Sequence, residues 1–139
     1  MMIGRLNHIA IVVPDLDSAA AVYRDALGAR VSPPQSLTAH GVTVVFVELP
    51  NTKIELLQPL GPETAVGKFL SRRGPGLHHV AYRVASVQAA LDACAAAGMR
   101  LIDEAPRTGI RGSRVAFLHP ASTGGVLTEI VQPAEEHHP

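Results

Sequence analysis

The chain has no tryptophan, 4% aromatic residues, a single cysteine and no excess of either charge, with 12 Lys and Arg against 12 Asp and Glu. Each scarcity removes a class of function. Cys94 has no partner for an intramolecular disulfide, so the fold rests on its core and is compatible with a reducing compartment, and a cytoplasmic protein is expected. Cys94 is also a poor nucleophile candidate, because it sits in the Ala-rich helical run DACAAAG, where a small buried thiol is the commoner state. Zero net charge without a basic run leaves no electrostatic footprint for nucleic acid. The apolar stretches are broken by Pro, Asp or Glu well short of a membrane-spanning length. The start, MMIGRLNHIAIVVPDL, has one Arg and no small-residue cleavage pattern, which argues against a signal peptide. No membrane and no nucleic-acid partner is therefore expected.

What is present is enough apolar sequence for a core. With 139 residues, 47% of them hydrophobic, the chain fits one compact domain or two small modules sharing a core. Self-similarity decides between plain and repeated architectures. LNHIAIVVPDLDSAAAVYRDALGARV from Leu6 matches LHHVAYRVASVQAALDACAAAGMRL from Leu77, and TVVFVELPNTKIELLQP from Thr43 matches RVAFLHPASTGGVLTEIVQP from Arg114. Each copy reads as a strand, a helix and then two or three strands.

In the first copy, Leu6 to Val13 alternates and is rich in Ile and Val, as a strand requires. Asp15 and Asp17 are N-cap candidates for a helix with apolar Leu16, Ala19, Ala20, Tyr23, Ala26 and Leu27 at helical spacing, stopped by Gly28. In the second, Ser86 can cap a helix carrying Val87, Ala90, Leu91 and Cys94, closed by Gly98. Strands are then predicted over Gly41 to Leu49, Lys53 to Leu57, Ser113 to His119 and Val126 to Val131, with turn chemistry at Pro50-Asn51 and from Pro120 to Gly125. Between the copies, Gly61 to Gly74 reads as a linker helix with Arg72 and Arg73 at its C-terminal end, where the helix dipole favours cations.

The alignment places His8 over His79 and Glu55 over Glu129. If the copies pack about a pseudo-twofold axis, equivalent inward positions converge and present two imidazoles and two carboxylates to one point. Such a donor set suits a divalent ion, Co²⁺, Mn²⁺, Ni²⁺ or Zn²⁺, and an octahedral ion would keep two positions open for substrate. A single His or Glu in a strand is usually a surface or hydrogen-bonded residue. Glu55 and Glu129, however, lie in otherwise apolar strands, where a buried carboxylate is costly unless paired or bound to a metal. His78 should point to the face opposite His79, His40 and His119 suit loops, and His137 and His138 lie in a polar tail.

Paired βαβββ copies with His and Glu at equivalent positions resemble the vicinal oxygen chelate superfamily, and NTKIELLQPLG, GLHHVAYRV, DEAPRTG and FLHPASTGGVLTEI are similar to stretches of methylmalonyl-CoA epimerases. The resemblance runs from Ile3 to Gln132. It implies an α+β fold in which two tandem modules form a cup-shaped, incompletely closed mixed β-sheet with flanking helices. One domain over 1–139 would then hold module one at 3–60, a linker helix at 61–74, module two at 75–133 and a polar tail at 134–139. It further implies interconversion of (2R)- and (2S)-methylmalonyl-CoA by 1,1-proton transfer through a metal-stabilised enolate, in propionyl-CoA metabolism.

On that resemblance, His8, Glu55, His79 and Glu129 bind the metal, Co²⁺ foremost, and Glu129 doubles as the base on one face of the substrate. The base on the other face is less determined: a glutamate proposed for it in some members falls at Val44, and Glu48 lies on the same strand face. Arg107, Arg111 and Arg114 in APRTGIRGSR, with Lys53, Lys68, Arg72 and Arg73, supply positive charge without singling out a contact to the CoA phosphates. The partners implied are an acyl-CoA substrate and a second copy in a homodimer. Glyoxalase I, using the same ligand pattern, and metal-free binding members of the superfamily are the alternatives.

Overall fold

The computed structural model describes residues 2–134; the rest of the expected polar tail, with His137 and His138, lies outside the described residues. The class is α+β, as the sequence implies. In chain order the elements are β1 (Ile3–Val12), α1 (Leu16–Ala21), β2 (Arg30–Val31), β3 (Gln35–Leu37), β4 (Val42–Glu48), β5 (Lys53–Pro59), α2 (Ala65–Arg73), β6 (Gly76–Val84), α3 (Val87–Ala96), β7 (Arg107–Thr108), β8 (Arg114–Leu118) and β9 (Thr128–Gln132). The described residues divide into two compact units, His8–His78 and a unit that joins 2–7 to 79–134. Among the described residues, no helix is long and apolar enough to cross a membrane.

Within the first of these units, β1 pairs in parallel with β5, β5 antiparallel with β4, and β4 antiparallel with both β2 and β3. Within the second, β6 pairs in parallel with β9, β9 antiparallel with β8, and β8 antiparallel with β7. The same wiring thus recurs, as the internal repeat requires. Strand alternation gives the strands of each unit two faces. In one unit Val45, Val47, Ile54 and Leu56 pack under Leu16 and Ala20 of α1. In the other Val84, Ala116, Leu118 and Ile130 pack under Val87, Ala90, Leu91 and Cys94 of α3. Burial pushes the Cys94 thiol pKa up, so Cys94 serves packing as a protonated thiol.

The helix stops are as expected: Gly28 and Gly98 take φ of 69° and 79°, a left-handed conformation glycine adopts without steric cost. The first helix itself differs from the reading of one continuous amphipathic helix. It is α-helical only over Leu16–Ala21 and continues as a π-helical turn, Val22–Ala26. The wider turn takes later residues off the 3.6-residue period, and Leu27, placed on the apolar stripe by sequence, is 67% exposed. The linker helix is present as α2, with Thr64 accepting from the Gly67 amide and both arginines in the last turn.

Capping shows a device that periodicity does not reveal. Ser86 caps α3 as predicted, accepting from the Ala89 amide at 3.1 Å. The Asp15 carboxylate instead accepts from the Ser18 hydroxyl at 2.8 Å, which holds its pKa below the ordinary value. The first amide of α1, Leu16 N–H, donates to Gln58 Oε1 at 2.7 Å, and that of α3, Val87 N–H, donates to Gln132 Oε1 at 3.1 Å. These are the glutamines of the repeated Gln-Pro at the end of each copy, so β5 and β9 each reach across to cap their own unit's helix. Gln58→Ala or Gln132→Ala should each cost about 1 kcal/mol of stability in urea unfolding, the usual loss for a helix cap. An unchanged urea midpoint in both variants would show that water replaces the glutamine without loss.

Candidate functional site

In each unit, the strand face turned away from the helix carries the predicted site residues. In the unit His8–His78, Ala10 is in register with Glu55, and Glu55 with Phe46. His8 stands two residues before Ala10, hence on the same face. The small, fully buried Ala10 leaves room beside the carboxylate, and His8 Nε2 lies 3.3 Å from Glu55 Oε2. The unit containing His79 repeats the arrangement: Ala81 is in register with Glu129, Glu129 with Phe117, and His79 Nε2 lies 3.8 Å from Glu129 Oε1. All four side chains are buried, with His8 and Glu55 5% exposed, His79 6% and Glu129 8%.

This geometry fits metal ligation within each pair. Two donors, each about 2.1 Å from a shared ion, sit no more than about 4.2 Å apart, and both separations fall under that bound. Buried carboxylates on strands of Val, Ile and Leu also need a compensating charge or hydrogen bonds. Imidazole nitrogens and carboxylate oxygens are a donor set of borderline character, suited to first-row divalent ions.

The remaining candidates separate from these pairs. Glu48 ends β4 exposed, in register with Lys53 on one side and Arg30 on the other. Val44 is fully buried opposite Leu57 and Gln35. His78 packs edge-on against Phe69 at 4.9 Å, and burial, followed by the charge of Arg73, lowers its pKa. The Arg73 guanidinium lies 5.6 Å from the centre of the same Phe69 ring. His119 caps the short helical turn Pro120–Ser122, its Nδ1 accepting from the Ala121 amide at 3.0 Å, and His40 ends the turn Thr38–His40 before Gly41. Of the basic loop, Arg107 pairs with Asp103 at 3.0 Å, and Arg111 takes a left-handed φ of 59° between Ile110 and Gly112.

Sequence reasoning passed over Phe46 and Phe117. The chain has 3 phenylalanines, and two of them occupy equivalent positions, each beside a candidate glutamate. The Phe117 ring meets the His79 imidazole edge-on, centroids 5.3 Å apart and planes at 85°. The signal was in the alignment, which sets TVVF over RVAF, but an aromatic on a strand reads by default as core.

Comparison with known proteins agrees with this architecture. Residues 7–117 match the Glyoxalase/Bleomycin resistance protein/Dioxygenase superfamily. The ethylmalonyl-CoA/methylmalonyl-CoA epimerase of Cereibacter sphaeroides is 50% identical over 133 residues, 94% of this chain and 99% of that protein. The crystal structure of methylmalonyl-CoA epimerase from Mycobacterium tuberculosis superposes with a TM-score of 0.89 at 35% identity, covering 96% of this chain and 91% of that one. A variant of the Streptomyces coelicolor methylmalonyl-CoA epimerase, in complex with 2-nitronate-propionyl-CoA, superposes with a TM-score of 0.90 at 34% identity, covering 99% of both chains. The chain belongs to the Glyoxalase/Bleomycin resistance protein/Dioxygenase superfamily, in the branch that holds these epimerases.

Proposed function

We propose that this chain is a metal-dependent methylmalonyl-CoA epimerase, interconverting the (2R) and (2S) forms by 1,1-proton transfer in propionyl-CoA metabolism. The observation that carries the reading is the recurrence of one buried His-Glu pair, at the same register, in both copies of the repeat. Near-full-length similarity to epimerases supports the choice of substrate. His8, Glu55, His79 and Glu129 are taken to hold one divalent ion together, Co²⁺ foremost, with the two modules acting as one domain. When bound, the ion supplies a Lewis acid for the charge that develops on the thioester oxygen as the α-proton leaves.

The protein's own groups do the rest. The α-carbon lies between a thioester carbonyl and a carboxylate, which makes its proton acidic enough for a carboxylate base. Glu129 takes that role on one face. Its burial keeps bulk water from competing for the carboxylate while substrate is bound, and the proton it has taken passes to solvent between turnovers. Glu48 or Glu55 is the candidate on the other face. Val44, being apolar, has no proton to give. His8 and His79 would contribute neutral nitrogen donors beside their partner carboxylates.

The substrate assignment is tested by giving the purified protein one methylmalonyl-CoA epimer and, separately, methylglyoxal with glutathione. Epimerisation without turnover of the second substrate is the expected result; the reverse would make the chain a glyoxalase I-type enzyme. We further propose a cytoplasmic homodimer. Light scattering at micromolar concentration should give twice the 14.6 kDa chain mass, and a monomer mass would remove the dimer while leaving the chemistry untouched.

A further inference from the structure

The segment DEAPRTG (103–109), together with Ile102 before it, is tied to Phe117 by three hydrogen bonds. The Phe117 amide donates to Asp103 Oδ2 at 2.8 Å, and the Phe117 carbonyl accepts from the Ile102 and Asp103 amides at 3.0 and 3.2 Å. The other carboxylate oxygen, Asp103 Oδ1, holds Arg107 Nε at 3.0 Å, and the Arg107 guanidinium carbon lies 5.6 Å from the centre of the Phe117 ring. That ring is the one set edge-on to the His79 imidazole.

The other copy of the repeat shows which of these contacts are structural. The Phe46 amide donates to Ser32 Oγ at 2.8 Å, and the Phe46 carbonyl accepts from the Ser32 amide at 2.9 Å. Ser32 precedes Phe46 by 14 residues, the separation between Asp103 and Phe117. Both positions therefore fasten the strand backbone beside a candidate glutamate in the same way. A serine has no charge with which to anchor a guanidinium. The carboxylate of Asp103 adds that function in the copy that contains Glu129.

We propose that Asp103 and Arg107 form a clamp on the Phe117 ring that fixes the orientation of the His79 imidazole, making them positioning residues for the half of the site that carries the base. The proposal rests on His79 being a ligand, as argued above. The cation over the aromatic ring is attracted by its negative face, and Asp103 keeps the flexible Arg107 stem from leaving it. With the ring held, the imidazole edge-on to it loses rotational freedom, so less ordering is needed when a ligand nitrogen engages its ion. Arg107 is about half exposed, so the clamp can be altered without opening the core.

Asp103→Ser copies the other half of the repeat: it keeps an acceptor for the Phe117 amide and removes the anchor for Arg107. Arg107→Met keeps the apolar stem over the ring and removes the cation. Both variants should unfold near the wild-type temperature. In the metal-free proteins, the His79 ring carbon-proton resonances, which sense the Phe117 ring current, should shift in both variants. Co²⁺ affinity, read by competition with a chelator, should weaken by about 3- to 10-fold, less than loss of a direct hydrogen-bond partner to a ligand. The double variant should be no worse than either single one, since both remove the same clamp. Wild-type His79 resonances in both single variants would overturn the proposal. If the wild-type protein bound no Co²⁺, the epimerase reading would fail on its own while the resonances still decided whether the clamp exists.

Discussion

Replacing Glu129 by Gln is expected to lower epimerisation by about 10³-fold, within the range lost with a positioned general base. Glutamine is nearly isosteric and can still offer its carbonyl oxygen to an ion, so metal content measured on the same sample separates lost chemistry from lost cofactor. If two groups serve opposite faces of the substrate, the Glu129→Gln protein should still exchange the α-hydrogen slowly with D₂O in the epimer that faces the other group, without inverting it. Glu48→Gln then asks whether Glu48 is that group. Its exposed position between Lys53 and Arg30 predicts little change, which would shift the role to Glu55, buried opposite Phe46. Undiminished epimerisation by metal-loaded Glu129→Gln would rule out Glu129 as a base.

His8→Ala and His79→Ala should each lose metal and activity together. Removing a ligand ought to cost more than the ~10- to 100-fold lost with an outer partner of a ligand, enough to leave either variant largely metal-free after dialysis. Two pairs feeding one ion predict that either substitution empties the whole site, whereas independent pairs would each lose half the metal. Because bound imidazoles must be neutral and carboxylates ionised, protons compete with the ion, and wild-type affinity should fall as the pH drops through the histidine range. Atomic absorption on dialysed protein gives the stoichiometry. Full occupancy and full turnover in both variants would show that these residues do not form a metal site.

Much of this was legible because the chain contains its own alignment. A single copy would have offered one histidine and one glutamate in two strands, each more plausibly a surface residue. The second copy turned His8, Glu55, His79 and Glu129 into a pattern. Burial of all four, and the common register of Ala10 with Glu55 and of Ala81 with Glu129, follow from the same wiring in both units. The third strand allowed for each copy was not placed by sequence, because β2, β3 and β7 have two or three residues that carry no period and depend on pairing with β4 and β8. The Gln58 and Gln132 caps escaped because each glutamine acts across more than 40 residues of sequence, with separations of 42 and 45. The π-helical turn that exposes Leu27 also lies beyond a pattern that assumes 3.6 residues per turn. Asp103 and Arg107 were visible as a motif, but only the Phe117 ring between Arg107 and His79 gives them a role.

Proton NMR of one methylmalonyl-CoA epimer in D₂O, with wild-type protein before and after chelation, tests the proposed chemistry most directly. The expected result is inversion at the α-carbon with deuterium entering the new epimer from the first turnover, loss of both signals with chelator, and their return on adding Co²⁺. Inversion that continues at full rate in protein shown to be metal-free, or no inversion at all with metal bound, would contradict it.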